Sequence, residues 1–315
     1  MASILSIRSV RIDLTGACNA RCTFCPYHGI HASKKPSRTA RLEVSDITKL
    51  VREFIAIDHR PQFKFSGRGE ATTHPRFKEI VALLAENGIA VRIITNGIAT
   101  VRFVDVLRDA RARVLVSIHG PREVHDHTTK VIGSYAKASM SVRALKHAGI
   151  DVAIATVITP HNLPLLASFA QAWNAEGVPL RIQHDFTAWR NETFSLADIK
   201  RHLGALPESP QVVQLPHLAN KPLESYYAPA LYVLDPHRCT RILEEVDIDA
   251  DGTLYVCRSS PFGNIRNASL SELICGNARQ AFIQEIQRET KTDRGLSPAL
   301  CDRCCYQAAH LTPSL

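Results

Sequence analysis

The chain has 315 residues, 45% of them apolar and 22% charged, with a formal charge of +8 from 38 Lys and Arg against 30 Asp and Glu. That composition excludes a disordered or fibrous chain, and the length suffices to bury a core without disulfides. No apolar run approaches the roughly 20 residues of a membrane span, and Arg8, Arg11 and Asp13 break the start before a signal sequence can form, so a cytoplasmic protein with no membrane partner is expected.

Short β-rich runs alternate with amphipathic helical stretches from residue 8 to about 186. Strands are expected at Val10–Leu14, Gln62–Phe65, Val91–Ile94, Val114–Ile118, Val152–Val157 and Leu180–Gln183. Helices are expected at Ser45–Ile57, Pro75–Asn87, Val101–Asp109, Ser134–His147 and Leu163–Ala175. Ser45 or Asp46 is placed to cap the first helix, Pro75 sits near an N1 position, and Gly88 and Gly149 follow two helices. Such alternation means βαβ units and a parallel sheet, either barrel-like or open. The rhythm fails beyond residue 190, where Pro207, Pro210, Pro216, Pro222, Pro229 and Pro236 punctuate a segment read as a connector over 191–236. Val246–Val256 then alternates on both sides of Asp251-Gly252, a hairpin signal. Helices around Leu270–Ile274 and Ala278–Glu289 lead to a cysteine-rich tail.

Nine cysteines are an odd count for a disulfide framework and point to thiolates that hold metal or do chemistry. Cys18, Cys22 and Cys25 fall just after the first strand. Zinc usually takes four protein ligands in two pairs, whereas a C-x3-C-x2-C triplet supplies three ligands to a cluster that takes four. The loop also carries Phe24 before its last cysteine. The dense basic stretch from Lys34 to Arg41 has no aromatic residue within it, so a base-stacking platform is not indicated and nucleic acid is not expected. It reads as a solvated loop or a dock for an anion or an acidic electron donor.

The triplet with Phe24 resembles the signature of the radical S-adenosylmethionine (SAM) superfamily, and further motifs follow in order. Phe65-Ser-Gly67-Arg68-Gly69-Glu70 resembles the family's glycine-glycine-glutamate motif, with Ala71 where proline is frequent. Ile94-Thr-Asn96-Gly97 resembles the end of the third strand, and Val116-Ser117-Ile-His119-Gly120 the fourth-strand segment. Ala155–Ile158, with Val157, matches the fifth-strand region that runs along the adenine. The resemblance implies a partial (β/α)6 TIM-type barrel over 8–190. It also implies that Cys18, Cys22 and Cys25 hold a 4Fe-4S cluster and that Gly69, Glu70, Asn96, Ser117 and Val157 bind SAM. Strand ends are where parallel barrels gather their sites. Thr156, His184 and Asp185 fall at such ends as well.

In the tail, Cys239, Gly252 and Cys257 together with Cys301-x2-Cys304 resemble the auxiliary-cluster extension of this superfamily in its shortened, one-cluster twitch form. That makes residues 237–315 a small α+β iron–sulfur domain with Cys239, Cys257, Cys301 and Cys304 as ligands of a second 4Fe-4S cluster. Zinc bound by two cysteines plus C-x2-C is the alternative. Cys275 and Cys305 remain, and either is a candidate hydrogen-atom donor. His125-x-His127 has no third ligand nearby and reads as loop. Tyr27, His28, Arg68, His119, His184, Asp185 and Arg258 are candidates to reach a substrate.

The resemblance implies reductive cleavage of SAM to a 5′-deoxyadenosyl radical, fed by a one-electron donor of flavodoxin or ferredoxin type. The expected substrate is a polar small molecule, a sugar-like alcohol, whose C–H is dehydrogenated or epimerised. Peptide modification is the alternative within the family, and it would commonly bring a leader-recognition domain, for which no room precedes residue 8. A non-enzymatic zinc protein that binds nucleic acid is the alternative from another class.

Overall fold

The computed structural model describes residues 3–30, 32, 35–183, 195–215, 240–256 and 260–289. Strands β1 (Ser9–Ile12), β2 (Gln62–Phe65), β3 (Val91–Thr95), β4 (Arg113–Ser117), β5 (Asp151–Val157) and β6 (Leu180–Gln183) fall within two residues of their expected bounds and pair parallel in chain order. The helices between them are α1 (Val44–Ile55), α2 (Phe77–Glu86), α3 (Val104–Asp109), α4 (Arg122–Thr129), α5 (Ser134–His147) and α6 (Leu166–Ala175). This is the TIM-type parallel α/β architecture expected, with an antiparallel C-terminal hairpin added to it.

Side chains alternate across a strand, and here the two faces differ in kind. Val10, Ile12, Phe63, Phe65, Val91, Ile93, Val114 and Val116 are buried on the helix side, in one core with Ile47, Leu50, Val51 and Phe54 of α1. The opposite face, the lumen, carries Ser9, Arg11, Lys64, Arg92 and Ile94. A closed eight-stranded barrel fills this space with branched apolar side chains. Here Ile94 remains 39% exposed, so the lumen is open.

Four sequence expectations change. Within the segment read as connector, α7 (Leu196–Gly204) is capped by Ser195, and β7 (Val212–Leu215) pairs parallel with β6. Pro210 and Pro216 bracket β7 and hid it; a four-residue edge strand tolerates prolines at its ends. The short helix α8 (Arg241–Glu244) precedes β8 (Glu245–Ile248) and β9 (Thr253–Val256), the expected hairpin, whose Gly252 turns at φ +87°. β8 pairs parallel with β1, so the hairpin shares the barrel's sheet instead of standing apart. The sheet runs β10-β9-β8-β1-β2-β3-β4-β5-β6-β7, with β10 at Ser260–Asn264, and α9 (Leu270–Cys275) and α10 (Asn277–Glu289) follow. His125 and His127 lie in helix α4, not in a loop; the helix starts after Pro121 and stops at Lys130 in the left-handed region. Helix α1 begins after Glu43 and not at Ser45, with Asp46 accepting from the Glu43 amide at 2.9 Å.

Candidate functional site

The loop after β1 brings Cys18, Cys22 and Cys25 together as free, half-buried thiols. It is hung from the end of α4 by two backbone bonds, Arg21 N–H to Thr129 O and Thr23 N–H to Thr128 O, both 2.9 Å. The Cys22 carbonyl accepts from Cys25 N–H at 2.9 Å, and His28 N–H donates to Cys25 Sγ at 3.3 Å. Burial pushes the Cys18 thiol up to about 11 and the Cys22 thiol up to about 12, and the neighbouring cysteines and Glu70 add to this in both. A cationic centre among them reverses that balance, since a coordinating thiol is deprotonated outright. Three thiolates in one short loop fit a 4Fe-4S cluster, which takes four ligands and so leaves one iron open, and the residues present supply three of those four.

The β2 end packs beneath this loop. Glu70 N–H donates to Ala17 O at 2.8 Å, and a Cβ at Gly69 would strike the Thr15 and Ala17 carbonyls, so only glycine fits there. The buried Glu70 carboxylate ties the ends of β2 and β3 together. It accepts from Thr72 N–H and Oγ1, from Thr95 Oγ1 at 2.7 Å and from Asn96 N–H at 2.7 Å. Asn96 in turn donates through Nδ2 to Asn19 Oδ1 at 2.6 Å inside the cysteine loop. A motif glutamate, a third-strand asparagine and the cysteine loop at Asn19 are thus joined by hydrogen bonds. Thr95 and Asn19, which complete it, were not singled out in the sequence; Thr95 adjoins a motif residue, but nothing in the pattern announces Asn19.

Ser117 ends β4, and Ala155 in register with it shares the lumen-facing row with Val157. Val157 N–H donates to His119 Nδ1 at 3.3 Å, and the His119 carbonyl accepts from Asn162 Nδ2 at 3.1 Å. Phe24 of the cysteine loop meets the His119 ring edge-on at 4.9 Å. Burial holds His119 down to about 3 and His125 to about 4, so both rings are neutral and join the β4 and β5 ends as packing groups. Thr156 spends its hydroxyl on the Ile118 carbonyl at 2.5 Å.

Arg68 links the motif loop to the hairpin. Its amide donates to Asp13 Oδ2 at 2.8 Å, and its guanidinium meets Asp249 Oδ2 at 2.6 Å. The same guanidinium stacks between Tyr27 and Tyr255, 5.7 and 5.5 Å from their ring centroids. In the basic stretch, Arg38 donates to the Cys18 carbonyl at 3.2 Å. Cys275 is exposed at the end of α9, whose neighbours are α1, α10, β10 and the turn at Ile4–Ser6; none of these carries the triad. Cys239, Cys257, Cys301, Cys304, Cys305, His184, Asp185 and Arg258 lie outside the described residues.

A parallel TIM-type sheet with a cysteine triad at the C-terminal edge of its first strand defines an iron–sulfur enzyme of the radical class. Comparison with known families agrees: residues 12–164 match the radical SAM superfamily model, and 239–305 match the SPASM iron–sulfur cluster-binding domain. The chain belongs to the radical SAM superfamily and carries a SPASM-type C-terminal extension. Its cofactors are SAM and a 4Fe-4S cluster, with further iron–sulfur in the extension.

A GTP 3′,8-cyclase of Chlorobaculum tepidum is 37% identical over 32% of this chain and 29% of its own length. The mycofactocin maturase MftC of Mycobacterium ulcerans is 28% identical over 54% of this chain. The chain spans only 45% of that relative. Among solved structures, Streptococcus suis SuiB bound to the precursor peptide SuiA superposes with a TM-score of 0.67 at 14% identity, covering 96% of this chain and 72% of that one. At that identity the likeness speaks for the fold.

Proposed function

We propose that the protein abstracts a hydrogen atom from a C–H of a polar small molecule, a sugar-like alcohol, and thereby dehydrogenates or epimerises it. The observation behind this reading is the polar, open lumen directly beneath the rim where the cysteine triad, Glu70 and Asn96 gather. When bound, the cluster and SAM supply one-electron cleavage of the sulfonium and a radical able to take hydrogen from an unactivated carbon. This chain's residues position and exclude. Cys18, Cys22 and Cys25 would hold the cluster and leave one iron corner to SAM. Gly69, Glu70, Asn96, Ser117 and Val157 would line SAM, with Glu70 held rigid by its four donors. Cys239, Cys257, Cys301 and Cys304 would hold the second cluster, and Cys305 or Cys275 would return hydrogen in an epimerase. The structure favours neither donor, since Cys275 is exposed on the helix side.

An external one-electron donor of flavodoxin or ferredoxin type and a cytoplasmic setting belong to this proposal. A peptide substrate is the second reading, and the similarity to the maturase MftC favours it. The test is anaerobic turnover with dithionite and SAM, with candidate alcohols and precursor peptides in D₂O. A carbonyl product supports dehydrogenation, and deuterium at an inverted carbon supports epimerisation. Modified peptide with untouched alcohols would replace the small-molecule reading.

A further inference from the structure

Arg38 reaches back to the cysteine loop from a segment that the exit of the first strand holds in place. Thr15 bridges Arg41 antiparallel, Leu42 N–H donates to Leu14 O at 3.0 Å, and Gly16 N–H donates to Ala40 O at 2.9 Å. The fit is close, since a Cβ at Gly16 would strike the Ser37 carbonyl oxygen. Arg266 closes the far side, donating to the Arg41 carbonyl at 3.1 Å while it grips Asp46 at 2.7 Å. Residues 37–42 are therefore fixed to the strand exit, and they deliver Arg38 Nη2 to the Cys18 carbonyl at 3.2 Å.

That contact sets a permanent cation on the backbone of one triad cysteine. The Cys18 thiol is raised by burial above all, and Glu70 and Cys25 add to that; the Ala20 backbone and the Arg38 cation pull it down. His28, whose amide donates to Cys25 Sγ at 3.3 Å, is lowered by burial first, and the same guanidinium adds to the effect. The field of Arg38 thus reaches both ends of the triad. A thiolate-held cluster gains one more negative charge on one-electron reduction, and its potential follows the net charge, hydrogen bonds and solvent exposure around it. A cation fixed beside it favours the reduced form. Arg38 is exposed, so water and salt screen its charge, but a charge removed there shifts the couple whatever other charges surround the loop.

We propose that Arg38 is a positioning residue for the reduction step: its guanidinium, held on the Cys18 carbonyl, offsets the electron that arrives on the cluster. The assignment rests on the reading above that Cys18, Cys22 and Cys25 hold that cluster, and it adds a residue that sets how readily the cluster is reduced. The electron comes from the external one-electron donor and its acceptor is the cluster. Arg38 is neither oxidised nor reduced and passes no proton.

The test is a redox titration of the anaerobically reconstituted full chain, followed by EPR with SAM added, because SAM at an open iron marks the signal of that cluster. Arg38→Gln should lower the reduced-to-oxidised ratio at a fixed potential by about 5- to 10-fold, which is about 40–60 mV more negative for one electron. Arg38→Lys, which keeps the charge, should recover most of this, and Arg38→Glu should shift the ratio further than Arg38→Gln. Raising KCl from about 0.1 to about 1 M should narrow the gap between wild type and Arg38→Gln. Either charge-changing variant suffices if the other loads no iron. An unmoved potential in a variant with wild-type iron content overturns the proposal. An equal shift in Arg38→Lys and Arg38→Gln also overturns it, because a contact that matters only for structure does not grade with charge. No SAM-marked signal in wild type would instead overturn the triad assignment and this role with it.

Discussion

Arg68→Met removes a side chain that joins the motif loop to both the cysteine loop and the hairpin. The Arg68–Asp249 contact at 2.6 Å corresponds to about 6 kcal/mol of gross attraction at an effective dielectric of about 20. Desolvation and the 26% exposure of Arg68 offset much of that. Truncation leaves Asp249 in a place only 8% exposed, and the two tyrosine faces lose a stacked cation. The expected destabilisation is about 3 kcal/mol. A double-mutant cycle with Asp249→Asn, read by urea unfolding, should return a coupling of about 1–3 kcal/mol. Hydrogen exchange should localise the loss to amides of β8 and β9, with α2 unchanged. A coupling under about 0.5 kcal/mol would refute the claim that Arg68 pins the hairpin to the site.

Anaerobic reconstitution should load about 8 iron atoms per chain, and replacing Cys18, Cys22 and Cys25 by Ala should remove about half; stoichiometric zinc instead would contradict the cluster assignment. Thr95→Val deletes one donor to the buried Glu70 carboxylate and should cost about 1–3 kcal/mol in stability while weakening SAM binding measured by equilibrium dialysis. Glu245 is held at about 2 against an ordinary 4.5, so its contribution of about 3 kcal/mol is fully present above pH 4.5. That contribution is lost as pH falls through 2, and Glu245→Gln should flatten the acid limb of the stability profile. Glu70→Ala should weaken SAM binding, and unchanged affinity would remove Glu70 from the site.

The cysteine triad, the motif order and the β–α rhythm were legible because each is local. A strand shows its period within a few residues, and three thiolates in eight positions must share a loop. Gly252 announced its turn by the same logic, and its φ of +87° agrees. What remained hidden depends on partners far apart in the chain. Nothing near Glu245 or Asp247 says that β8 will lie parallel to β1, more than two hundred residues earlier, and turn both acids onto Arg11 and Lys64. β7 was lost between two prolines because an edge strand of four residues has too short a period to see. His125 read as loop since its place in α4 rests on burial and on its ring accepting the His119 amide at 3.0 Å. Sequence alone therefore determined the cofactor chemistry, which needs only a short run of ligands. The charge of the lumen, and the joining of hairpin to barrel through Arg68, were decided by tertiary structure, because strand register alone brings such distant side chains within bonding distance.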